Sequence, residues 1–334
     1  MSVPAFADIS KSANDLLNKD FYHLSAGTIE VKSNTPNNVA FKVTGKSSHE
    51  KATSGNLEGK YSDKSLGKST KTYARQLQRA SLNLSRIRIP GYPAWPLEFH
   101  VYLTQQISVL LMTFRRPGLT LTQTWNTANA LETKVELADN VAKGLKAEGI
   151  FSFLPSNQNK GAKINLHFKQ PAFHGRAFFD FLKGPTANID AVIGHEGFLA
   201  GASAGYDVQK AALTGYSAAV GYVAPTYSAA ITATNNLSIF AASYYHKVNS
   251  QVEAGAKASW DSKSGNTVGL EVASKYRLDP VSFAKIKIND RGVAATSYNV
   301  LLRPGVTLGI GASFDTQKLD QATHKVGASF TFEN

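Results

Sequence analysis

Ala162-Lys163-Ile164-Asn165-Leu166-His167-Phe168-Lys169 alternates without a break. Ala162, Ile164, Leu166 and Phe168 fall on one side; Lys163, Asn165, His167 and Lys169 fall on the other. Successive side chains of an extended chain point to opposite faces, so this stretch is a strand with one oily and one charged face. The pattern recurs. In Leu131–Leu137, Leu131, Val135 and Leu137 oppose Glu132, Lys134 and Glu136. In Val252–Asp261, Val252, Ala254, Ala256, Ala258 and Trp260 oppose Glu253, Lys257 and Asp261. In Val268–Leu278, Val268, Leu270, Val272, Tyr276 and Leu278 oppose Glu271, Lys275 and Arg277.

Loop signals separate the alternating runs: Pro36-Asn37-Asn38, Pro155-Ser156-Asn157, Gly184-Pro185, Asn235-Asn236, Ser264-Gly265-Asn266 and Asp290-Arg291-Gly292. Strands are predicted at 27–33, 39–46, 55–62, 119–125, 130–138, 145–153, 161–169, 174–183, 187–194, 199–207, 212–221, 227–234, 238–246, 250–260, 267–278, 282–288, 293–300, 306–314 and 324–332. Many evenly spaced strands without intervening helices mean a sandwich or a barrel. Two features choose a barrel in lipid. The runs approach the roughly 9–11 residues that a tilted strand needs to cross a bilayer. The charged face is nearly as regular as the apolar one, the inside-out order of outer-membrane barrels.

Bulk properties hide this architecture. The 334 residues are 43% hydrophobic and 18% charged, and the mean hydropathy is −0.20. The longest apolar run, Ile107 to Phe114, is far short of the roughly 20 residues of a spanning helix. No cysteine is present, which excludes disulfides and thiolate metal sites. The first residues lack a basic region followed by an apolar core, and Asp8, Asp15 and Asp20 come early. Neither a secretory signal nor an Arg-rich transit peptide is expected. The net charge of +12 invites a nucleic-acid reading, but residues 68–118 alone hold eight basic residues and one acidic residue, Glu98. Without that segment the charge is nearly balanced, and no nucleic-acid partner is expected.

Residues 5–20 read as a helix. Ile9, Ala13, Leu16 and Leu17 make one apolar stripe, and Lys11, Asp15 and Lys19 lie at i, i+4, i+8 on the polar face. Pro4 precedes the helix and Ser25-Ala26-Gly27 follows as a hinge. The organisation is therefore 1–26, helix and hinge, and 27–334, barrel, interrupted at 68–118. An odd number of up-and-down strands forces the first and last to pair in parallel.

The chain resembles the mitochondrial outer-membrane porins, the voltage-dependent anion channels, of fungal type. The residues that carry the resemblance are Asn14 to His23, Tyr276-Arg277-Leu278-Asp279-Pro280 and Leu301 to Gly309. A nineteen-stranded barrel is the architecture known for that family, so strand count and resemblance are not independent. The resemblance implies an all-β, 19-stranded transmembrane barrel with the N-terminal amphipathic helix inside the pore. It also implies a voltage-gated, weakly anion-selective channel for ATP, ADP, phosphate and organic anions, in contact with membrane lipid, able to form a homo-oligomer and needing no cofactor. Lys11, Asp15 and Lys19 are implied to take part in gating and nucleotide contact. A dinucleotide contact carries over onto Val293, Ala294, Ala295 and onto Gly311, Ala312, Ser313, Phe314, Asp315; no Gly-x-Gly-x-x-Gly spacing supports it. Ile286 and Thr296 stand where the family has a small and an aliphatic residue, so local repacking is expected. Gln123 stands where animal members have an acidic lipid-facing residue. Lys325, Gly327, Phe330 and Phe332 fit the sorting signal of mitochondrial barrels.

Strand parity places Lys32, Lys46, Lys60, Lys134, Lys146 and Arg176 on the lumen face, along with Lys285 and Lys287 and fewer carboxylates. Fixed positive charge in a wide wet pore concentrates anions without holding them tightly. Gly144-Leu145-Lys146 reads as a strand start, and the family resemblance adds a nucleotide contact. The eight histidines are not at metal-ligand spacing, no Gly-x-Ser-x-Gly elbow occurs, and no enzyme activity is expected. The outer-membrane protein-import pore shares the fold but carries a longer N-terminal extension. A soluble lipid-binding β protein would leave the membrane fraction on carbonate extraction.

Residues 68–118 have no counterpart in the family and hold four of the twelve prolines. They read either as an accessory loop outside the wall or as an in-frame retained intron. Gly67-Lys68-Ser69 can be encoded with a GTAAGT donor, and Pro117-Gly118 with a CAG acceptor. A transcript that always carries the segment defeats the intron.

Overall fold

A computed structural model describes residues 2–36, 38–50, 52–62, 119–139, 142–182, 184–263, 268–321 and 323–334. The insert at 68–118 lies outside the described residues. The chain enters through a 3₁₀ turn, Phe6–Asp8, the helix α1, Lys11–Asn18, and a second 3₁₀ turn, Tyr22–Leu24. The regular helix is shorter than the periodicity predicts. It stops where Lys19 turns extended and Asp20 takes φ 60°, the left-handed conformation that ends many helices.

Nineteen strands follow among the described residues. They are β1 Gly27–Asn34, β2 Val39–Ser47, β3 Thr53–Ser62, β4 Leu119–Asn126, β5 Leu131–Ala138 and β6 Leu145–Leu154. Next come β7 Asn159–Lys169, β8 Phe173–Asp180, β9 Thr186–His195, β10 Phe198–Asp207, β11 Ala212–Val223 and β12 Tyr227–Thr234. The last seven are β13 Ile239–Lys247, β14 Val252–Asp261, β15 Val268–Asp279, β16 Ser282–Asn289, β17 Val293–Arg303, β18 Val306–Asp315 and β19 Lys325–Glu333. Each predicted strand meets an observed one. Each strand pairs antiparallel with the next, and β1 closes on β19 in parallel, with Thr28 opposite Ser329 and Glu30 opposite Thr331. Closure leaves no open edge, so every wall amide can be paired where no water reaches it.

The register sorts the two faces. Ile29 and Val31 look outward on β1, and Phe41 and Val43 continue that surface on β2. Ile193 on β9 is 60% exposed and Val326 on β19 is 65% exposed. So much exposed apolar surface calls for an apolar solvent. Aromatic rings line both rims of one outer sector. Phe198, Tyr222, Tyr227 and His246 run in sequence at one end, with neighbouring ring centroids 4.7, 5.8 and 6.5 Å apart. Phe240 and Trp260 stack at the other end, 5.7 Å apart. Such rings mark the two interfaces of a bilayer.

The two departures from the family pattern meet. Ile286 and Thr296 are direct register partners on β16 and β17, on the outward face. Repacking at one of these positions is therefore felt at the other.

Candidate functional site: the helix-lined pore

The inward face is of two kinds. On β10–β13 the inward positions between the rims are small or uncharged, including Gly201, Ala219, Gly221, Ala230 and Ser243. The N-terminal segment occupies this smooth sector. Val3 and Ile9 are buried against Val192, Leu199, Ala219 and Ala230. Farther along, Leu16 and Leu17 pack on Ala273. A Cβ on Gly255 would come within 2.9 Å of Leu16, and one on Gly221 within 3.0 Å of Ile9. The predicted stripe is thus the face that meets the wall. Sequence reasoning misses the seat itself, although its signal is present: between the rims, the inward positions of β10–β13 carry no charge and are mostly Gly, Ala, Ser and Thr.

On the passage side of the helix, Lys11 and Lys19 keep their side chains more than half exposed. Lys19 pairs with Asp15 at 2.7 Å, and Lys11 with Asp8 at 3.4 Å. The Asp15 hydrogen bond raises the Lys19 ammonium above its ordinary pKa.

Inward charge resumes on β14–β16 with Glu253, Lys257, Glu271, Lys275, Lys285 and Lys287, and across the lumen β1–β3 and β5–β8 carry much of theirs as pairs. Lys32 lies 3.2 Å from Glu30, which Lys42 approaches at 2.9 Å. Lys134 and Lys146 interleave with Glu136 and Glu148 at 2.6 to 3.3 Å. Arg176 holds Asp190 at 2.8 Å. Lys46 and Lys60 are exposed and, among the described residues, no carboxylate lies within ion-pair distance of either. Of the six cations singled out as lining the pore, four are neutralised locally. Exposed, unpaired positive charge therefore falls to fewer of these groups than parity alone suggests, because parity assigns a face and not a partner. Gly144 takes φ 84° in the turn just before β6, which begins at Leu145.

The eight residues of the dinucleotide carry-over come together. Val293 faces Asp315, Ala294 faces Phe314 and Ala295 faces Ser313. The ladder divides them, however: Ala294, Ala312 and Phe314 point outward. Inside, Ala295 is 1% exposed, and backbone atoms of Tyr22 and His23 cover Gly311. Within the sorting motif, Phe330 and Phe332 face outward and stack, while Lys325 and Gly327 face inward. Gly309, Gly311 and Gly327 form a flat seat for the turn at Tyr22–Leu24. A Cβ on Gly327 would fall 2.1 Å from the Ser25 carbonyl oxygen and 2.2 Å from that of Tyr22. Asn299 donates a hydrogen bond to the Tyr22 hydroxyl beside it. Gln123 lies on the outward side of β4, opposite Thr133.

A family model described as eukaryotic porin matches residues 2–85 and 102–327, leaving 86–101, inside the insert, unmatched. The chain is 72% identical over its full length, and all of the relative's, to the mitochondrial outer membrane protein porin of Neurospora crassa. It is 43% identical to the protein of the same name in Candida albicans, over 99% of each chain. It is 35% identical to non-selective voltage-gated ion channel 1 of Saccharomyces cerevisiae, over the whole of both. By the family model and by its identity to these relatives, the chain belongs to the eukaryotic porin family.

Proposed function

We propose that the chain is a voltage-gated, weakly anion-selective diffusion channel of the mitochondrial outer membrane that passes ATP, ADP, phosphate, organic anions and small ions. The observation that carries this reading is the inward face: a closed, charged wall on which cations outnumber carboxylates and Lys46 and Lys60 stand exposed outside the ion pairs, with a helix along the opposite side. Relatives carry the names mitochondrial outer membrane porin and voltage-gated ion channel, and the same names differ on selectivity. A small cationic excess reconciles them, since it biases the ions that pass without excluding either sign. The outward face takes lipid as its solvent. The inward groups act as fixed charge, and no bond is made or broken.

Lys11 and Lys19 reach the helix side of the passage as ion pairs with Asp8 and Asp15, and a nucleotide phosphate would compete with those carboxylates for them. Voltage acts on charge that moves, and one charge crossing the whole field is worth about 2.3 kcal/mol per 100 mV. Gating at tens of millivolts needs several charges moving together, and the helix carries such a group.

The test is the reversal potential in planar bilayers under a potassium chloride gradient. Replacing Lys46 and Lys60 together by Glu should move it toward cation preference. An unmoved potential defeats the assignment of selectivity to those lysines.

A further inference from the structure

Lys285 is the most enclosed of the inward lysines among the described residues. Its side chain is 2% exposed, in a barrel whose other lumen lysines reach water. Its ammonium donates to the backbone carbonyl of Lys19 at 2.7 Å and to that of Asp15 at 3.3 Å, and the Asp20 carboxylate stands 3.8 Å away. Lys287, two residues on and on the same face, donates to the Leu17 carbonyl at 3.1 Å. Phe21 lies beside both, its ring centre 4.9 Å from one ammonium and 5.0 Å from the other.

Leu17 and Lys19 are among the last four carbonyls of the helix, which have no partner inside it, whereas the Asp15 carbonyl already accepts from the Lys19 amide at 3.0 Å and takes Lys285 as a second donor. That end of the helix carries the negative pole of its dipole. The α1 C-terminus cannot leave all of them to water, because Leu16 and Leu17 press against the wall at Ala273. Two wall cations take their place, and Asp20 in its left-handed conformation turns the chain so that Phe21 closes over them.

We propose that Lys285 and Lys287 are positioning residues, a two-lysine clasp that caps the C-terminal carbonyls of the inward helix and holds it to β16. Their charge is spent on the helix and not on the permeating ions. Releasing the helix from the wall means uncapping it and leaving two ammonium groups without their acceptors. The proposal rests on the channel reading for its consequence in gating, but not for its geometry.

The chain has no native cysteine, so a nitroxide on Ser12→Cys, an exposed helix position, reports helix mobility in the refolded full-length barrel. Lys287→Met should enlarge the mobile fraction on the order of tenfold, as loss of a charged hydrogen bond implies. Lys287→Arg should retain the native spectrum, and Lys285→Met should exceed Lys287→Met. Lys60→Met removes a wall cation far from the helix and should change nothing in the spectrum. A native spectrum in Lys287→Met overturns the clasp, and so does mobility in Lys60→Met equal to that in Lys287→Met. If Lys285→Met does not fold, the Lys287 pair of variants decides alone. Bilayer recording of the native protein is run beside these: absence of conductance defeats the channel reading while the spectra still judge the clasp.

Discussion

Arg176 and Asp190 face each other across β8 and β9, with Nε and Nη2 of the guanidinium donating to both carboxylate oxygens at 2.8 to 3.1 Å. Both side chains are mostly shielded from the lumen. Removing one partner of such a pair leaves a charge with neither water nor counter-ion. Asp190→Asn should therefore lower stability by about 3 kcal/mol, read as the shift in denaturant midpoint of the barrel in detergent. A change below about 0.5 kcal/mol would mean that lumen water already screens the pair.

The turn at Tyr22–Leu24 depends on bare backbone beneath it. Gly327→Ala should displace the turn, raising amide exchange at Tyr22 to Leu24 at least tenfold, because the added carbon meets two carbonyl oxygens. Gly45→Ala is the control, since a carbon added there has nothing within 4 Å. Both proteins are refolded in detergent, which keeps the measurement independent of the sorting motif. Equal exchange in the two variants contradicts the seat.

Ile286 and Thr296 should behave as a coupled pair. Ile286→Ala alone is expected to cost about 1 kcal/mol through lost apolar contact. Adding Thr296→Val returns apolar bulk to the directly opposite position, and the double variant should lie within about 0.5 kcal/mol of the native protein. Contacting residues show such non-additivity. Strictly additive free energies in a double-mutant cycle would show that the two side chains do not sense each other.

His23 ties the docked turn to pH. Burial lowers its pKa below the ordinary value, and Lys287, Lys325 and His49 push the same way. The docked state thus prefers the neutral ring. Its contribution is full above the undocked value of about 6.5 and is lost as pH falls through the lowered docked value. Amide protection at Tyr22 to Leu24 should weaken between about pH 7 and pH 5, and His23→Gln should flatten that dependence. Protection that rises on acidification would reverse the sign.

The wall was legible because a strand in lipid has a period of two and little freedom to depart from it. Ala162 to Lys169 already separates the two faces, and each later hairpin repeats the test. An odd count then requires the parallel seam between Thr28 and Ser329. The stripe of Ile9, Ala13, Leu16 and Leu17 was equally plain, since its 3.6-residue spacing is local.

Partnership was not legible. Parity puts Lys60 and Lys285 on the same face with the same charge, yet one reaches open water and the other lies under a helix. What separates them is a contact spanning 266 residues, from the Lys285 ammonium to the Lys19 carbonyl. The same holds for Gly327, which as sequence is one letter of an expected sorting motif and as structure is the floor beneath Tyr22. By itself the sequence determined which way each side chain points, because alternation is a property of one strand. Only the closed barrel decided what each side chain meets, because closure brings the two ends of the chain onto the same wall, and burial and charge pairing are properties of that meeting.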